Sequence, residues 1–400
     1  MRGADRLEVV VDVSAVPPRP AGAGRYIVEL LAALSRRDDL LLAAITRRPD
    51  AERWRQIAPA ARLLPVVPPA RPARLAFERL FLGPFVARRA AGAVYHGPHY
   101  TMPGRLAGGR VVTVHDLTFF DHPEWHERSK VAFFRTAIRR ASAEADVVIC
   151  VSRTTARRLG ELLPVRAEVI VAEHGVDHSR FSPGEAETSR LGSELAAFLG
   201  PGDLSRRLVL HVGTLEPRKG IVDLVAAFGQ LAAGRPELRL VLAGLPGWGA
   251  AEVSAAVVAS PARAQIRQLG WVPDDQVVTL MRAAGAVAYP SHEEGFGLPA
   301  LEAMACGAPL VTSEGTAMAE FAAGAALLAP PGEPKALAAA LGRCLALEPA
   351  ERERRVRRGL EQAARFTWAA TAEQHVAAYR LAAEAAARRG PFPAPPARRR

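Results

Sequence analysis

The sequence predicts an α/β protein built from two Rossmann-like domains, each a parallel sheet with helices on both faces. Three observations lead there. Strand-like and helix-like segments alternate from end to end, the rhythm of repeated βαβ units. The alternation pauses once, in a polar stretch from Phe181 to about Gly202, and then restarts. At 400 residues the chain is also too long for a single comfortable core.

The elements follow in order. Leu7–Val13 is a buried strand, closed by a loop holding Pro17, Pro18, Pro20, Gly22 and Gly24. In Arg25–Leu34, Ile27, Leu30, Leu31 and Leu34 recur at helical spacing. Leu40–Ile45, Val94–His96, Arg110–His115, Val147–Val151 and Val169–Val171 are further strands, with a helix from about Ser129 to Ala141. After the pause come strands at Arg207–Val212, Leu238–Ala243, Ile266–Leu269, Ala286–Tyr289 and Pro309–Thr312. Helices are expected at Ile221–Ala232, Ala250–Val258, Val277–Ala284, Pro299–Ala305, Ala336–Ala346 and Glu351–Arg365. Thr367 can cap a last helix that begins near Trp368. The expected boundaries are 1–182 and 203–365 for the domains, 366–387 for the last helix, and 388–400 for a disordered basic tail.

Bulk composition excludes several classes. No apolar run approaches the roughly 18 residues that a membrane span needs, and Val9-Val10-Val11 breaks at Asp12 rather than continuing as a secretory signal. Cys150, Cys306 and Cys344 are scattered, odd in number and without ligand spacing, so neither a disulfide framework nor a metal site is expected. A cytoplasmic setting follows, with peripheral attachment to the inner face of the membrane as an option. The net charge of +11 is uneven: residues 36–110 hold 14 basic against 5 acidic residues, and 388–400 adds five arginines. Such local surpluses fit an anionic membrane surface better than nucleic acid. The competing reading is no partner at all, because arginine is abundant throughout.

Two turns carry the chemistry. Ser291-His-Glu-Glu-Gly-Phe-Gly-Leu-Pro-Ala-Leu-Glu302 follows a strand and precedes a helix. This order points backbone amides outward at the carboxyl edge of a parallel sheet, where ligands bind. Gly295 and Gly297 permit close approach to the backbone, Pro299 suits a first helical turn, and the helix start favours an anion such as a diphosphate. Glu294 and Glu302 flank the turn, and carboxylates suit sugar or ribose diols. The second turn, His211-Val-Gly-Thr-Leu-Glu-Pro-Arg-Lys-Gly220, places Gly213 and Thr214 after a strand, and Arg218 and Lys219 at a helix start. Two cations there oppose the helix dipole; an anion held between them removes the conflict, with arginine gripping in two places and lysine adding a point charge.

In order and spacing these segments resemble the donor site of the retaining glycosyltransferases of family 4, which have the GT-B fold. The likeness extends to Gly22-Ala-Gly-Arg-Tyr26, Val112-Thr-Val-His-Asp-Leu117, Ala145-Asp-Val-Val-Ile-Cys-Val-Ser152, His174-Gly-Val-Asp177 with Phe181-Ser-Pro183, and Phe366-Thr-Trp368. It implies transfer of a hexose from a nucleotide-diphosphate sugar to a glycan or lipid-linked acceptor, with no cofactor and no metal. Arg218 and Lys219 would neutralise the departing diphosphate, and Glu302 would hold the ribose. Glu294 would contact the donor sugar beside the amides of Phe296, Gly297 and Leu298. His115 would face the transferred sugar across an interdomain cleft, and Gly24 would let the first loop approach the phosphates. The family's final helix returns to the amino-terminal domain. The Gly-Thr-Leu-Glu-Pro-Arg-Lys variant is similar to mannosyl-type members that use GDP-mannose.

The chain departs from the family pattern at His174 and Gly220, where asparagine is usual, and at Thr316-Ala-Met-Ala-Glu320, although Glu320 survives. Ser152 is expected to cap a helix, and Asp177 is open between ligand contact and structure. Leu75, Phe77, Leu80, Phe81, Leu82, Phe85 and Val86 with Arg71, Arg74, Arg79, Arg88 and Arg89 form a basic amphipathic segment broken at Pro84. It can either lie on anionic lipid near a lipid-linked acceptor or face the core. A nicotinamide-dependent oxidoreductase is disfavoured because Ile27 stands where the third glycine of its turn belongs. A phosphorylase lacks a recognisable pyridoxal lysine motif. The remaining alternative is a degenerate GT-B protein acting as a scaffold, against which the retained Arg218, Lys219, Glu294 and Glu302 argue.

Overall fold

A computed structural model describes residues 6–104 and 106–389, apart from the side chains of Arg71, Pro72, Leu75 and Arg79. It divides into two compact units: one built on the chain up to Glu173 together with the segment from Trp368, the other spanning His174–Thr367.

The amino-terminal unit carries β1 (Leu7–Asp12), β2 (Leu40–Arg47), β3 (Arg62–Val67), β4 (Val94–Gly97), β5 (Arg110–Val114), β6 (Val147–Cys150) and β7 (Glu168–Val171). They form one sheet in the order β3-β2-β1-β4-β5-β6-β7, every pair parallel. The carboxyl-terminal unit carries β8 (Leu208–Val212), β9 (Arg239–Ala243), β10 (Ile266–Leu269), β11 (Ala286–Tyr289), β12 (Leu310–Ser313) and β13 (Leu327–Ala329). Its parallel sheet runs β10-β9-β8-β11-β12-β13. Val9, Val10 and Val11, and likewise Leu208, Val209 and Leu210, are buried on both faces, as strands between two helical layers must be.

Each sheet winds outward in one direction and then jumps to the other side of its first strand. The strand order therefore reverses between β1 and β4, and again between β8 and β11. Such a switch point opens a crevice at the carboxyl ends of the two strands. This topology sets where each unit can hold a ligand.

Several elements differ from the sequence reading. β3, which that reading passes over, contains Pro65. Proline weakens a strand signal, yet it is tolerated here because β3 is an edge strand. The short helix Ala317–Phe321 and the three-residue edge strand β13 also lack a visible period. Residues 193–199, read as linker, form a helix with Leu195 and Leu199 buried. Residues 174–181 belong with the second unit: Phe181 is buried, and Val176 pairs with Thr367. The basic segment is broken at Phe81, not Pro84: helices Arg71–Leu80 and Leu82–Arg89 flank that residue, and Pro84 sits in the second helix's first turn, where its missing N–H costs nothing.

The last helix, Trp368–Arg389, packs into the amino-terminal unit through Thr371, His375, Val376, Ala378, Tyr379 and Ala382. Arg388 and Arg389 lie in its final turn, and Arg389 pairs with Asp146. Both were expected in the tail; the rest of that tail, 390–400, lies outside the described residues. No helix among the described residues is long and apolar enough to cross a membrane.

Candidate donor and sugar-binding sites

In the carboxyl-terminal unit, the turn after β8 and the turn after β11 meet at the switch point. The first passes through a single helical turn, Pro217–Lys219, to Gly220, which is left-handed at φ 65° and precedes helix Ile221–Leu231. A Cβ on Gly220 would lie 1.9 Å from the carbonyl oxygen of Pro290. The glycine that departs from the family pattern is thus required by the backbone packing. The His292 amide donates to the Arg218 carbonyl at 2.9 Å, and the His292 ring meets Asp223 at 2.9 Å. The two turns are pinned together along their backbones.

This brings the charged residues into one cluster. Arg218 donates to Glu216 at 2.7 Å and lies 3.7 Å from a Glu294 oxygen; Lys219 lies 3.8 Å from the same oxygen. The two Glu294 separations are too long for hydrogen bonds, so Glu294 partly neutralises the two cations without a direct hydrogen bond to either. Their side chains are only 17% and 13% exposed, a setting where a charge–charge contact is screened less than at an open surface. Gly213 sits beneath them: a Cβ there would be 3.2 Å from the Lys219 ammonium. Thr214 follows in the same turn, close enough to Gly247 that a Cβ on that glycine would lie 2.8 Å from its methyl group.

In the second turn, Gly297 is left-handed (φ 97°) and caps helix Leu298–Ala305, with Pro299 at its start. Met318 closes over it, 2.3 Å from where a Cβ would be. Gly295 is buried, as are Leu298 and Phe296; the Phe296 ring packs on His174 at 4.8 Å and on Phe321 at 5.2 Å. The divergent residues His174 and Met318 are therefore packing partners of this loop. Glu302 is buried in the helix. The phenol of Tyr289 is pushed well above its ordinary value by burial and then by the nearby Glu302 charge, which places Glu302 beside the end of β11.

His211 is a site residue that the sequence does not signal. Its ring is fully buried, Nδ1 donates to the Ala288 carbonyl at 2.9 Å, and Nε2 has no hydrogen-bond partner. Burial lowers its pKa to about 4, with the nearby Lys219 charge adding to the shift. Neutral at ordinary pH, it turns a bare acceptor toward the Gly213 turn. A histidine closing a buried strand looks structural in sequence; only the unused nitrogen reveals it.

The amino-terminal unit holds His115 and Gly24. His115, just beyond β5, is buried, and its Nε2 lies 2.8 Å from the Pro98 carbonyl. A carbonyl only accepts, so Nε2 carries the proton and Nδ1 of the neutral ring is an acceptor. Burial holds its pKa below the ordinary histidine value. Tyr100, missed in the sequence, is built around it. Its ring stands edge-on to His115 at 5.4 Å, and its hydroxyl accepts the Asp116 amide at 3.0 Å. Tyr100 is also the one non-glycine residue at positive φ, 64°, among the described residues, a conformation that costs a bulky side chain about 1–3 kcal/mol. Gly24 corrects an expectation: it is the second residue of helix Ala23–Leu34, not part of the preceding loop, and the left-handed glycine is Gly22 (φ 49°). Ser152 caps helix Arg153–Leu162 by accepting the Thr155 amide, and the Asp177 carboxylate is engaged by Ser179 at 2.6 Å. In the basic segment, Leu82 and Val86 face the core while Leu80 and Phe81 are exposed.

Comparison with known proteins agrees with this architecture. Residues 20–180 match the model of Glycosyltransferase Family 4, and residues 201–362 that of the glycosyl transferases group 1. The O-antigen chain mannosyltransferase B of Escherichia coli is 34% identical over 291 residues, covering 72% of this chain and 74% of that protein. The D-inositol 3-phosphate glycosyltransferase of Kineococcus radiotolerans is 36% identical over 249 residues, 57% of this chain but only 55% of its own length. Among solved structures, sucrose-phosphate synthase from Thermosynechococcus elongatus superposes with a TM-score of 0.75 at 22% identity, over 95% of this chain and all of that one. WaaG, a glycosyltransferase involved in lipopolysaccharide biosynthesis, gives 0.68 at 18% identity, over 94% and 98%. These two show the shared GT-B fold. Two matched family models, a relative alike over most of both chains, and a charged cluster at the switch point converge on one assignment: the chain belongs to glycosyltransferase family 4.

Proposed function

We propose that this glycosyltransferase moves mannose, with retention, from GDP-mannose to a glycan or lipid-linked acceptor of bacterial polysaccharide assembly, without a metal. The supporting observation is the convergence of Arg218 and Lys219 on Glu294 across two turns pinned at the β8–β11 switch point. A diphosphate in that position gains two cations and the amides at the Gly297 helix start, aimed where negative charge grows as the nucleotide leaves. In the reaction the bond from the anomeric carbon to the β-phosphate oxygen breaks. The acceptor hydroxyl attacks from the same face, and its proton passes to the departing phosphate oxygen. Glu302 holds the ribose diol and Glu294 a sugar hydroxyl, and His115 faces the transferred sugar. Gly24 lets the preceding proline loop pack on the start of its helix, since a Cβ there would lie 3.1 Å from the Pro20 side chain. Mannose and polysaccharide are favoured by the likeness to the E. coli enzyme.

Acceptor recognition belongs to the amino-terminal unit. The exposed Leu80 and Phe81 and the exposed arginines 88 and 89 supply an apolar and basic surface for a cytoplasmic, anionic leaflet. Flotation with anionic vesicles tests this; equal recovery of wild type and Arg88→Glu/Arg89→Glu ends it. The donor is tested by a thermal-shift panel of GDP- and UDP-sugars. GDP-mannose is expected to give the largest shift, and an equal or larger response to a UDP-sugar overturns the choice.

A further inference from the structure

Hydrogen-bond direction can be assigned through the buried centre of the amino-terminal unit. His375 Nδ1 lies 2.7 Å from the Thr371 carbonyl, so Nδ1 carries the proton and Nε2 accepts. The Tyr26 hydroxyl, 2.7 Å away, therefore donates to Nε2 and must itself accept from Thr113 Oγ1 at 3.0 Å. With its hydrogen committed, Thr113 accepts from His96 Nε2 at 2.8 Å. His96 Nδ1 is then the acceptor for the Tyr379 hydroxyl, also at 2.8 Å. One direction satisfies every link: Tyr379 to His96 to Thr113 to Tyr26 to His375 to the Thr371 carbonyl.

Both ends of this chain lie on the last helix, and its middle crosses β4, β5 and the first helix. All five side chains are buried. Burial holds both histidines below their ordinary pKa, as the assigned direction requires. The helix backbone is pressed close as well, since a Cβ on Gly109, next to β5, would lie 2.7 Å from the backbone of Ala382. Tyr26 is where the chain meets the site. Its ring stands edge-on to His115, at 5.1 Å and 77°, as the Tyr100 ring does at 5.4 Å.

We propose that Tyr26, held by His375, is a positioning residue that ties the docking of the last helix to the orientation of His115. The inference rests on the role given to His115 above. Tyr26→Phe keeps the ring against His115 but severs the chain, and His375→Leu removes the acceptor behind it. Each is expected to lower kcat about 5- to 20-fold with the donor KM within twofold. The double variant should be no worse than the worse single, because both cut the same link. His375→Gln, which can present an amide oxygen to Tyr26, should recover most of kcat. Tyr379→Phe cuts the far end of the chain and leaves the Tyr26–His375 link whole; it should lower Tm as much as the others while kcat stays within twofold. If kcat falls in Tyr26→Phe, His375→Leu and Tyr379→Phe alike in step with Tm, the residues are merely structural and the proposal is overturned. It is equally overturned if Tyr26→Phe and His375→Leu keep wild-type kcat while His115→Ala loses at least 100-fold. If His115→Ala is itself inert, the role of His115 falls first, and donor-induced thermal shifts then report on the carboxyl-terminal site independently.

Discussion

In the carboxyl-terminal unit the polar groups at the switch point come from two short turns, residues 211–220 and 291–302, and three of them, Arg218, Lys219 and Glu294, stay partly exposed. In the amino-terminal unit they come from residues 26, 96, 113, 375 and 379, scattered along the chain and closed from solvent. The first arrangement leaves charges ready for an anion. The second uses neutral groups that satisfy one another and fix the shape around His115. A buried polar network has to be complete, because each missing partner leaves a desolvated group. A binding turn has to be incomplete until its ligand arrives. Under the proposed function, the contrast separates residues that act on the substrate from residues that hold the actors still.

The largest test of this contrast is the double variant Arg218→Ala/Lys219→Ala. Loss of both cations facing the departing diphosphate should reduce transfer by about 10³-fold or more, with Tm little changed because the backbone hydrogen bond from His292 to Arg218 that pins the two turns remains. A steady-state assay with melting curves checks both halves.

Next in size is Gly220→Ala. The new Cβ meets the Pro290 carbonyl and strains a left-handed residue, so about 2–4 kcal/mol of stability should be lost, read by denaturant unfolding. Asparagine tolerates the left-handed region but carries the same Cβ, so Gly220→Asn should not rescue the loss.

Acid should separate the two units. His96, His99, His115 and His375 are all held below the ordinary histidine value, burial being the main cause, with His99 near 3 and His375 near 4. They stay neutral in the fold while the unfolded chain gains protons below about pH 6.5. Stability is therefore complete above that pH and falls as pH drops toward 4, by up to about 1.4 kcal/mol per pH unit for each histidine. The carboxyl-terminal unit has His211, near 4. Calorimetry between pH 6.5 and 4.5 should show the amino-terminal transition moving down faster, and equal slopes would break the comparison. The smallest effect is expected at the exposed Arg380–Asp39 pair, where Arg380→Ala should change stability by less than about 1 kcal/mol.

How much was visible in the sequence follows the same division. Strand, glycine turn and helix start are local patterns, so both turns of the candidate site and their cations could be read directly. Gly220 looked like a departure only because its neighbour, the Pro290 carbonyl, lies 70 positions away. Tyr100 gave no signal, since backbone strain in a tyrosine leaves no mark on composition. His375 and Tyr379 read as interior residues of an Ala-rich helix; their partners in β4, β5 and the first helix are fixed by tertiary packing. The strand β3 was hidden by Pro65, whose cost disappears only at a sheet edge.

The central claim is that Arg218 and Lys219 grip a diphosphate, and a calorimetric titration of guanosine and GDP into wild type and the double alanine variant tests it most directly. Wild type should prefer GDP over guanosine by at least about 100-fold, roughly 2.7 kcal/mol, and the variant should lose most of that preference while still binding the nucleoside weakly. A variant that discriminates as well as wild type would show that the phosphates are held elsewhere.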